Sequence, residues 1–353
     1  MGTRVVSYVN AFFWDSDTES YYIENAEQGA VRLETGEVQF MGYSGQRIAT
    51  MCPGPALWRD KLTEVCKELV GRYRVDGIYL DFLTVHGMDC FNPEHGHPLG
   101  GGNYWTKSVR ELYGHIRHEL KQINPEVILT GERTAEYVID LLDAPLSQET
   151  VGATPMFQAV YHGYALAYGG QTNNSEPHSL GRWWLMGNQN GWNQTEPGLA
   201  KALNGDPEYQ DRVQHAQYYV KLLRCHYHFG QPYLAYGEML RPPRIDGDLP
   251  TVTGQTGYGS YTVPVVEGSA RRAPDGSVGV FFLNYDKEQS HEFSWTVDLR
   301  EGAGWGRHTR LKLCQWTEER GLEYVEEVPG GRLTRRATIE PWGLIALRIE
   351  VIK

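Results

Sequence analysis

Over the first 240 residues, short runs of β-forming residues alternate with stretches of helical spacing, and from about residue 260 the helical spacing stops. This alternation constrains the fold more than any other feature, because strand–helix–strand repeats build parallel sheets whose helices cover the faces. Six strands are expected, at 4–13, 75–82, 126–131, 156–162, 180–187 and 232–236, with a further extended piece at 46–51. Helices are expected at 56–72, 104–123 and about 208–229. In the first, Trp58, Leu62, Val65, Cys66, Leu69 and Val70 recur at helical spacing as one buried stripe. In the second, Trp105, Val109, Leu112, Tyr113, Ile116, Leu120 and Ile123 do the same, and Asn124-Pro125 ends it. His226 and His228 fall at the end of the third, where cations cap a helix C-terminus. Beyond 260, the runs Ser277–Asn284, His291–Val297, Leu311–Trp316 and Thr338–Val351 lie between Gly, Pro and Asp turns and read as an antiparallel β-sandwich. Residues 241–262, rich in Pro, Gly and Thr, link the two parts.

A parallel sheet is either open and doubly wound or closed as a barrel. The open nucleotide-binding form needs a glycine-rich turn after its first strand, and Asn10–Asp17 supplies none. Long, polar, aromatic-rich loops after the strands favour a barrel whose active face is built from those loops. The expected fold is therefore α/β, a (β/α)8-type TIM barrel over 1–245 followed by an antiparallel β-sandwich over 260–353. With only six strands, the barrel is expected to be incomplete.

Composition removes several function classes. With 44 acidic residues against 33 basic ones, the net charge of −11 repels phosphate backbones and anionic membranes, so neither nucleic acid nor a membrane is an expected partner. No apolar run approaches a membrane span. Five cysteines are too few for a disulfide scaffold. Residues 4–14 open directly as a strand without a signal-peptide pattern, which makes a cytoplasmic location the expectation for the chain as it stands. No cofactor is expected. The 22 tyrosines, 10 tryptophans and 10 phenylalanines, many of them in polar loop-like stretches, suit flat surfaces on which a ligand stacks.

The sharpest chemical feature is Val75-Asp76-Gly77-Ile78-Tyr79-Leu80-Asp81. A buried parallel strand should be nearly all apolar, yet this one closes on a carboxylate, which a barrel would aim into its C-terminal mouth. The next strand, Val127-Ile128-Leu129-Thr130, ends at Gly131-Glu132. Two consecutive strands thus each deliver one acid, and neighbouring strands lie about 4.8 Å apart. Two carboxylates at one scissile bond are what retaining glycoside hydrolysis requires, with an attacking Asp81 and a proton-donating Glu132 roughly 5–5.5 Å apart. The bland alternative for Glu132 is a helix cap or a partner of Arg133. Glu136 is the reserve donor, and Asp76, at the far end of its strand, reads as structural.

Phe13-Trp14-Asp15, Met51-Cys52-Pro53, Asp76–Asp81, Cys90-Phe91-Asn92-Pro93-Glu94-His95-Gly96-His97-Pro98 and Ile128–Glu132 together resemble the bacterial glycosidase-like barrels of domain-of-unknown-function family 6259. More distantly the chain is similar to α-amylase-like and endo-α-N-acetylgalactosaminidase-like retaining enzymes. The resemblance implies a nucleophilic Asp after barrel strand four and an acid/base Glu after strand five, which match Asp81 and Glu132. It also implies a C-terminal β-sandwich and a preference for α-linkages. Residues 4–13 then become strand three, so strands one and two are missing, and either a homo-oligomer that covers the exposed edges or a rearranged N-terminal segment is expected. Where α-amylase-like sites place a third acid, Gly187–Trp192 has amides instead, and Glu238 is the substitute candidate.

The expected partner is an oligo- or polysaccharide. Trp14, Asp15, His95, His97, Tyr161, His162, Trp184, Asn188, Asn190, Trp192 and Glu238 are the candidate substrate-binding residues, since rings stack on pyranose faces while amides and imidazoles bind hydroxyls. Core packing is the rival reading for each aromatic. Cys52, Cys90, His95 and His97 could form a Cys2His2 zinc set, although C-x4-H-x-H is not a standard zinc spacing. The rivals there are buried thiols with hydrogen-bonded histidines, or a Cys52–Cys90 disulfide. Three functions stay open: a retaining glycosidase, a non-catalytic carbohydrate-binding protein, and a zinc-dependent hydrolase using His95, His97 and a carboxylate.

Overall fold

The computed structural model describes residues 2–43, 45–147, 154–169, 177–191, 196–256 and 259–352. They form two compact units, which meet in sequence at Leu146/Ser147; the sequence reading divides the chain instead at 245–260.

The first unit is built on a parallel sheet of four strands in the order Val6–Asn10, Gly77–Asp81, Ile128–Glu132, Ala144–Leu146. Helices Ala56–Gly71 and Tyr104–Ile123 are its crossovers. Their buried stripes are the expected ones, except that Val65 and Ile123 are exposed and Leu69 is half-buried. Val9, Ile78, Leu80 and Leu129 join Leu62, Cys66, Val109, Tyr113 and Ile116 in one core cluster, so one face of the sheet packs on the helices. The register pairs Tyr8 with Tyr79 and Asn10 with Asp81 on one side, and Tyr79 with Thr130 on the other. Since side chains alternate along a strand, Tyr8, Asn10, Tyr79, Asp81, Thr130 and Glu132 share the opposite face, which is polar. Gly131 permits close packing behind this face: a Cβ there would stand 2.7 Å from the Tyr113 hydroxyl and 3.2 Å from the Leu80 carbonyl. Phe13–Asp15, Gln46–Thr50 and Phe40–Tyr43 make a small antiparallel sheet, with the middle strand at the expected 46–51 segment.

The second unit corrects three expected strands. Residues 156–162, 180–187 and 232–236 are not extended. They lie in helices Met156–Tyr161, Pro177–Met186 and Gln231–Leu234. Leu180, Trp183 and Trp184 have the three-and-four spacing of a helix, and a short apolar run cannot be assigned by periodicity alone. Pro232 fits the first turn of its short helix, where the missing N–H costs nothing. Among the described residues the parallel strands therefore number four rather than six, and no closed barrel is formed.

The helix expected over 208–229 spans Asp211–Cys225 and runs into a π-turn, His226–Gly230. His226 is buried there, and burial pushes its imidazole down to about 4, so it is neutral and no capping cation. The sandwich strands appear as expected, with Thr338–Val351 divided into the end of Arg332–Ile339 and Leu344–Val351. One antiparallel sheet runs Gly321–Pro329, Arg310–Thr317, Leu344–Val351, Val278–Asn284, Val266–Arg272, Glu238–Met239. A second runs Arg332–Ile339, His291–Asp298, Arg244–Asp246. The presumed linker thus contributes a strand, and also the hairpin Thr251–Thr256/Gly259–Pro264. Among the described residues no helix is long and apolar enough to cross a membrane.

Candidate active site

Parallel register sets Leu80 opposite Gly131, so Asp81 and Glu132 follow one another across the sheet at two neighbouring strand tips. Asp81 is 6% exposed. Its Oδ2 accepts a hydrogen bond from the Tyr8 hydroxyl at 2.5 Å and its Oδ1 one from the Tyr79 hydroxyl at 3.1 Å. The two phenol rings stack at 5.8 Å. Burial, and then the Asp81 carboxylate, push the Tyr8 phenol well above its ordinary range, so it stays a proton-bearing donor.

Glu132 is tied to the residue after Asp81: the Phe82 N–H donates to its Oε2 at 3.1 Å. The Thr84 hydroxyl donates to its backbone carbonyl. Both acids are followed by a non-glycine residue in the left-handed region, Phe82 at φ 68° and Arg133 at φ 60°. Such conformations cost free energy and collect at functional sites. Here they turn the chain sharply at each strand tip directly after the carboxylate.

Other expected residues of this unit occupy different places. Trp14 donates from Nε1 to Ser20 at 3.1 Å and packs on Trp58. The Asp15 carboxylate accepts from the Asp17 N–H at 2.9 Å. Asp76, read as structural, accepts from the Val5 N–H at 2.8 Å at the opposite end of its strand. Glu136 is exposed in a short 3-10 turn. Sequence reasoning passed over Tyr8, Tyr79 and Asn10, which share the polar face with Asp81. The signal was present, because polar or phenolic residues at alternate positions in strands that should be apolar mark a sheet face that does not pack on helices.

Cys52, Cys90, His95 and His97 come together away from these acids in sequence, with one donor atom from each inside a 4.8 Å cluster. All five cysteines are free, which corrects the disulfide alternative. The Cys52 thiol, hydrogen-bonded to Cys90, is held above its usual range, and Cys90 is correspondingly held below.

In the second unit, Trp184 is a core residue set edge-on against Phe281 at 5.4 Å. Tyr161 ends its helix and contacts Phe157. His162 is buried, and burial together with the nearby Arg271 charge pushes it down to about 4. The Asn188 side chain accepts from Gln158 at 2.9 Å and donates to the Gly169 carbonyl at 3.3 Å. The buried Asn190 Nδ2 has no partner among the described residues. Glu238 pairs with Arg272 and lines a cleft of about 590 Å³ with Arg241, Arg244 and Asp298. Trp192 lies outside the described residues.

Residues 1–172 match the family model described as "Domain of unknown function (DUF6259)". A Bacteroides thetaiotaomicron protein named "Putative glycoside hydrolase" is 30% identical over 212 residues, 56% of this chain and 31% of the relative. A Monosiga brevicollis protein, "Putative glycoside hydrolase 22789", is 24% identical over 283 residues, 69% of this chain and 23% of the relative. The chain thus spans less than a third of the length of the curated relatives it matches. Among solved structures, a maltogenic α-amylase from Thermotoga neapolitana aligns with TM-score 0.60 at 12% identity, covering 99% of this chain and 78% of that one. An α-amylase from Geobacillus thermoleovorans aligns with TM-score 0.53 at 10% identity, covering 98% and 77%. A GH36 α-galactosidase from Geobacillus stearothermophilus aligns with TM-score 0.51 at 8% identity, covering 99% and 45%. At these identities the structural likeness speaks to the fold.

Proposed function

We propose that this chain carries the acid pair of a retaining glycoside hydrolase, with Asp81 as nucleophile and Glu132 as acid/base. The observation that carries the reading is the pair of neighbouring strand tips, one ending on each carboxylate, joined by the Phe82 N–H to Glu132 hydrogen bond. Strand spacing of about 4.8 Å is close to the separation that retention uses. In the first step the ionised Asp81 attacks the anomeric carbon. The glycosidic C–O bond breaks as Glu132 gives its proton to the leaving oxygen. In the second, Glu132 takes a proton from water, whose oxygen displaces Asp81 from the sugar and restores both groups. Tyr8 and Tyr79 orient Asp81, and the Phe82 amide orients Glu132. The α-linkage preference rests on the family resemblance and on the activities named for the fold neighbours.

A panel of aryl glycosides combined with a 2-deoxy-2-fluoroglycosyl inactivator tests this. Turnover with a glycosyl label on Asp81 supports the reading. A label on another carboxylate overturns the assignment of the nucleophile. Sugar binding with no turnover across the panel replaces the hydrolase by a carbohydrate-binding protein.

A further inference from the structure

We propose that Cys52, Cys90, His95 and His97 bind one structural zinc ion. Cys52 follows the strand Gln46–Thr50, while the other three lie in the loop between Asp81 and the helix Tyr104–Ile123. The Cys52 sulfur is 3.4 Å from His97 Nε2, and the Cys90 sulfur is 3.5 Å from His95 Nδ1. A tetrahedral zinc ion with Zn–S of about 2.3 Å and Zn–N of about 2.0–2.1 Å sets each sulfur about 3.6 Å from each nitrogen. Both contacts are therefore already at ligand-to-ligand distance.

The outer ring nitrogens are held as metal-bound imidazoles require. His97 Nδ1 lies 2.8 Å from the Pro98 carbonyl and donates to it, which leaves the Nε2 lone pair facing the thiols. His95 Nε2 lies 2.8 Å from the Gln28 carbonyl and 2.9 Å from Asn92 Nδ2. A metal on Nδ1 selects donation to Gln28. Backbone carbonyls that fix the tautomer in this way are the usual outer support of zinc histidines.

The frame is preformed as well. Cys52 N–H donates to the Gly29 carbonyl at 2.9 Å, and the Cys90 carbonyl accepts from Gly100 N–H at 2.9 Å. The His97 ring lies flat on Tyr104 at 3.9 Å. Gly54 leaves the room this needs, since a Cβ there would come within 3.2 Å of the His97 ring.

Two thiolates and two imidazoles complete a tetrahedral S2N2 shell, which selects zinc among common divalent ions and leaves no open position for water. The ion is therefore structural. It ties the long loop after Asp81 to the end of the neighbouring small sheet, and it has no part in hydrolysis. This inference is independent of the glycosidase reading.

The test is metal analysis of the untagged chain, then titration of the chelator-stripped protein with zinc in competition with a chromogenic chelator. The expected result is one zinc per chain, with tetrahedral cobalt–thiolate absorption after exchange with cobalt. Cys90→Ser and His97→Ala should each lower retained zinc more than tenfold, while Cys314→Ala leaves it unchanged. Should the variants fail to fold, the cobalt spectrum and the titration of the unaltered protein still decide. No binding in the titration, full retention in both variants, or an intact mass two hydrogens short from a Cys52–Cys90 disulfide would each overturn the proposal.

Discussion

The strands Gly77–Asp81 and Val278–Asn284 are both buried along their whole length, and both end on a polar residue. Their tips are nevertheless different. The Asn284 amide is consumed by turn carbonyls, donating to Gln289 at 2.8 Å, Glu340 at 2.9 Å and Ile339 at 3.3 Å, while its oxygen accepts from Asp286 N–H at 2.9 Å. It ties together two connections between the sheets, the one after its own strand and the one before Leu344–Val351. The Asp81 carboxylate instead accepts from the side-chain hydroxyls of Tyr79 on its own strand and Tyr8 on the neighbouring one. A buried polar strand end is therefore not a site by itself. What decides is whether its partners are backbone carbonyls that fix a turn or hydroxyl donors that hold a carboxylate in place at the strand tip.

Substitutions at the two tips should separate these roles. Asp81→Asn should lower turnover by about 10⁴-fold or more while the thermal midpoint barely moves; substantial residual activity on aryl glycosides would make the two tips equivalent. Glu132→Gln should cost about 10²–10⁴-fold, with most of the loss recovered on substrates whose leaving group needs no proton. Asn284→Asp should do the reverse, facing a carboxylate to three carbonyls and destabilising the second unit by about 3–5 kcal/mol in denaturant melts, with turnover per folded molecule unchanged. Tyr8→Phe removes one charge-assisted hydrogen bond, worth about 1.5–3 kcal/mol, and should appear in kcat more than in stability.

The smallest effect concerns acid. His162 and His226, both in the second unit, are held down to about 4 by burial, whereas the unfolded chain titrates near the ordinary histidine value. The unfolded state then binds more protons between about pH 6.5 and 4, so stability is full above 6.5 and is lost as pH falls toward 4. His226→Gln should flatten that slope by at most about 1.4 kcal/mol per pH unit in chemical melts taken across this range. A slope unchanged by the substitution would show that His226 is not the group that titrates.

The first unit was largely legible in its residues. The apolar stripes of Ala56–Gly71 and Tyr104–Ile123, the stop at Asn124-Pro125, and the strands closing on Asp81 and Glu132 all depend on neighbours within a few positions. The sandwich strands were legible for the same reason. Segments 156–162, 180–187 and 232–236 were not, because short, mostly apolar runs suit a buried strand and a buried helix equally, and packing made the choice. The Cys and His spacing was visible but ambiguous, since Cys52 stands 38 residues before Cys90 and nothing local brings them together.

By itself, then, the sequence determined where the two long helices of the first unit begin and end and which strands close on an acid, because those features follow from short-range patterns of burial and backbone preference; it joined Val6–Asn10 and Phe13–Asp15 into one strand and missed Ala144–Leu146. Only the tertiary structure decided that Tyr8 reaches Asp81 across 73 residues, that the Phe82 amide holds Glu132 across 50, and that four sulfur and nitrogen donors converge. Those contacts depend on sheet register and loop closure, which couple residues far apart in the chain and leave no periodic trace along it.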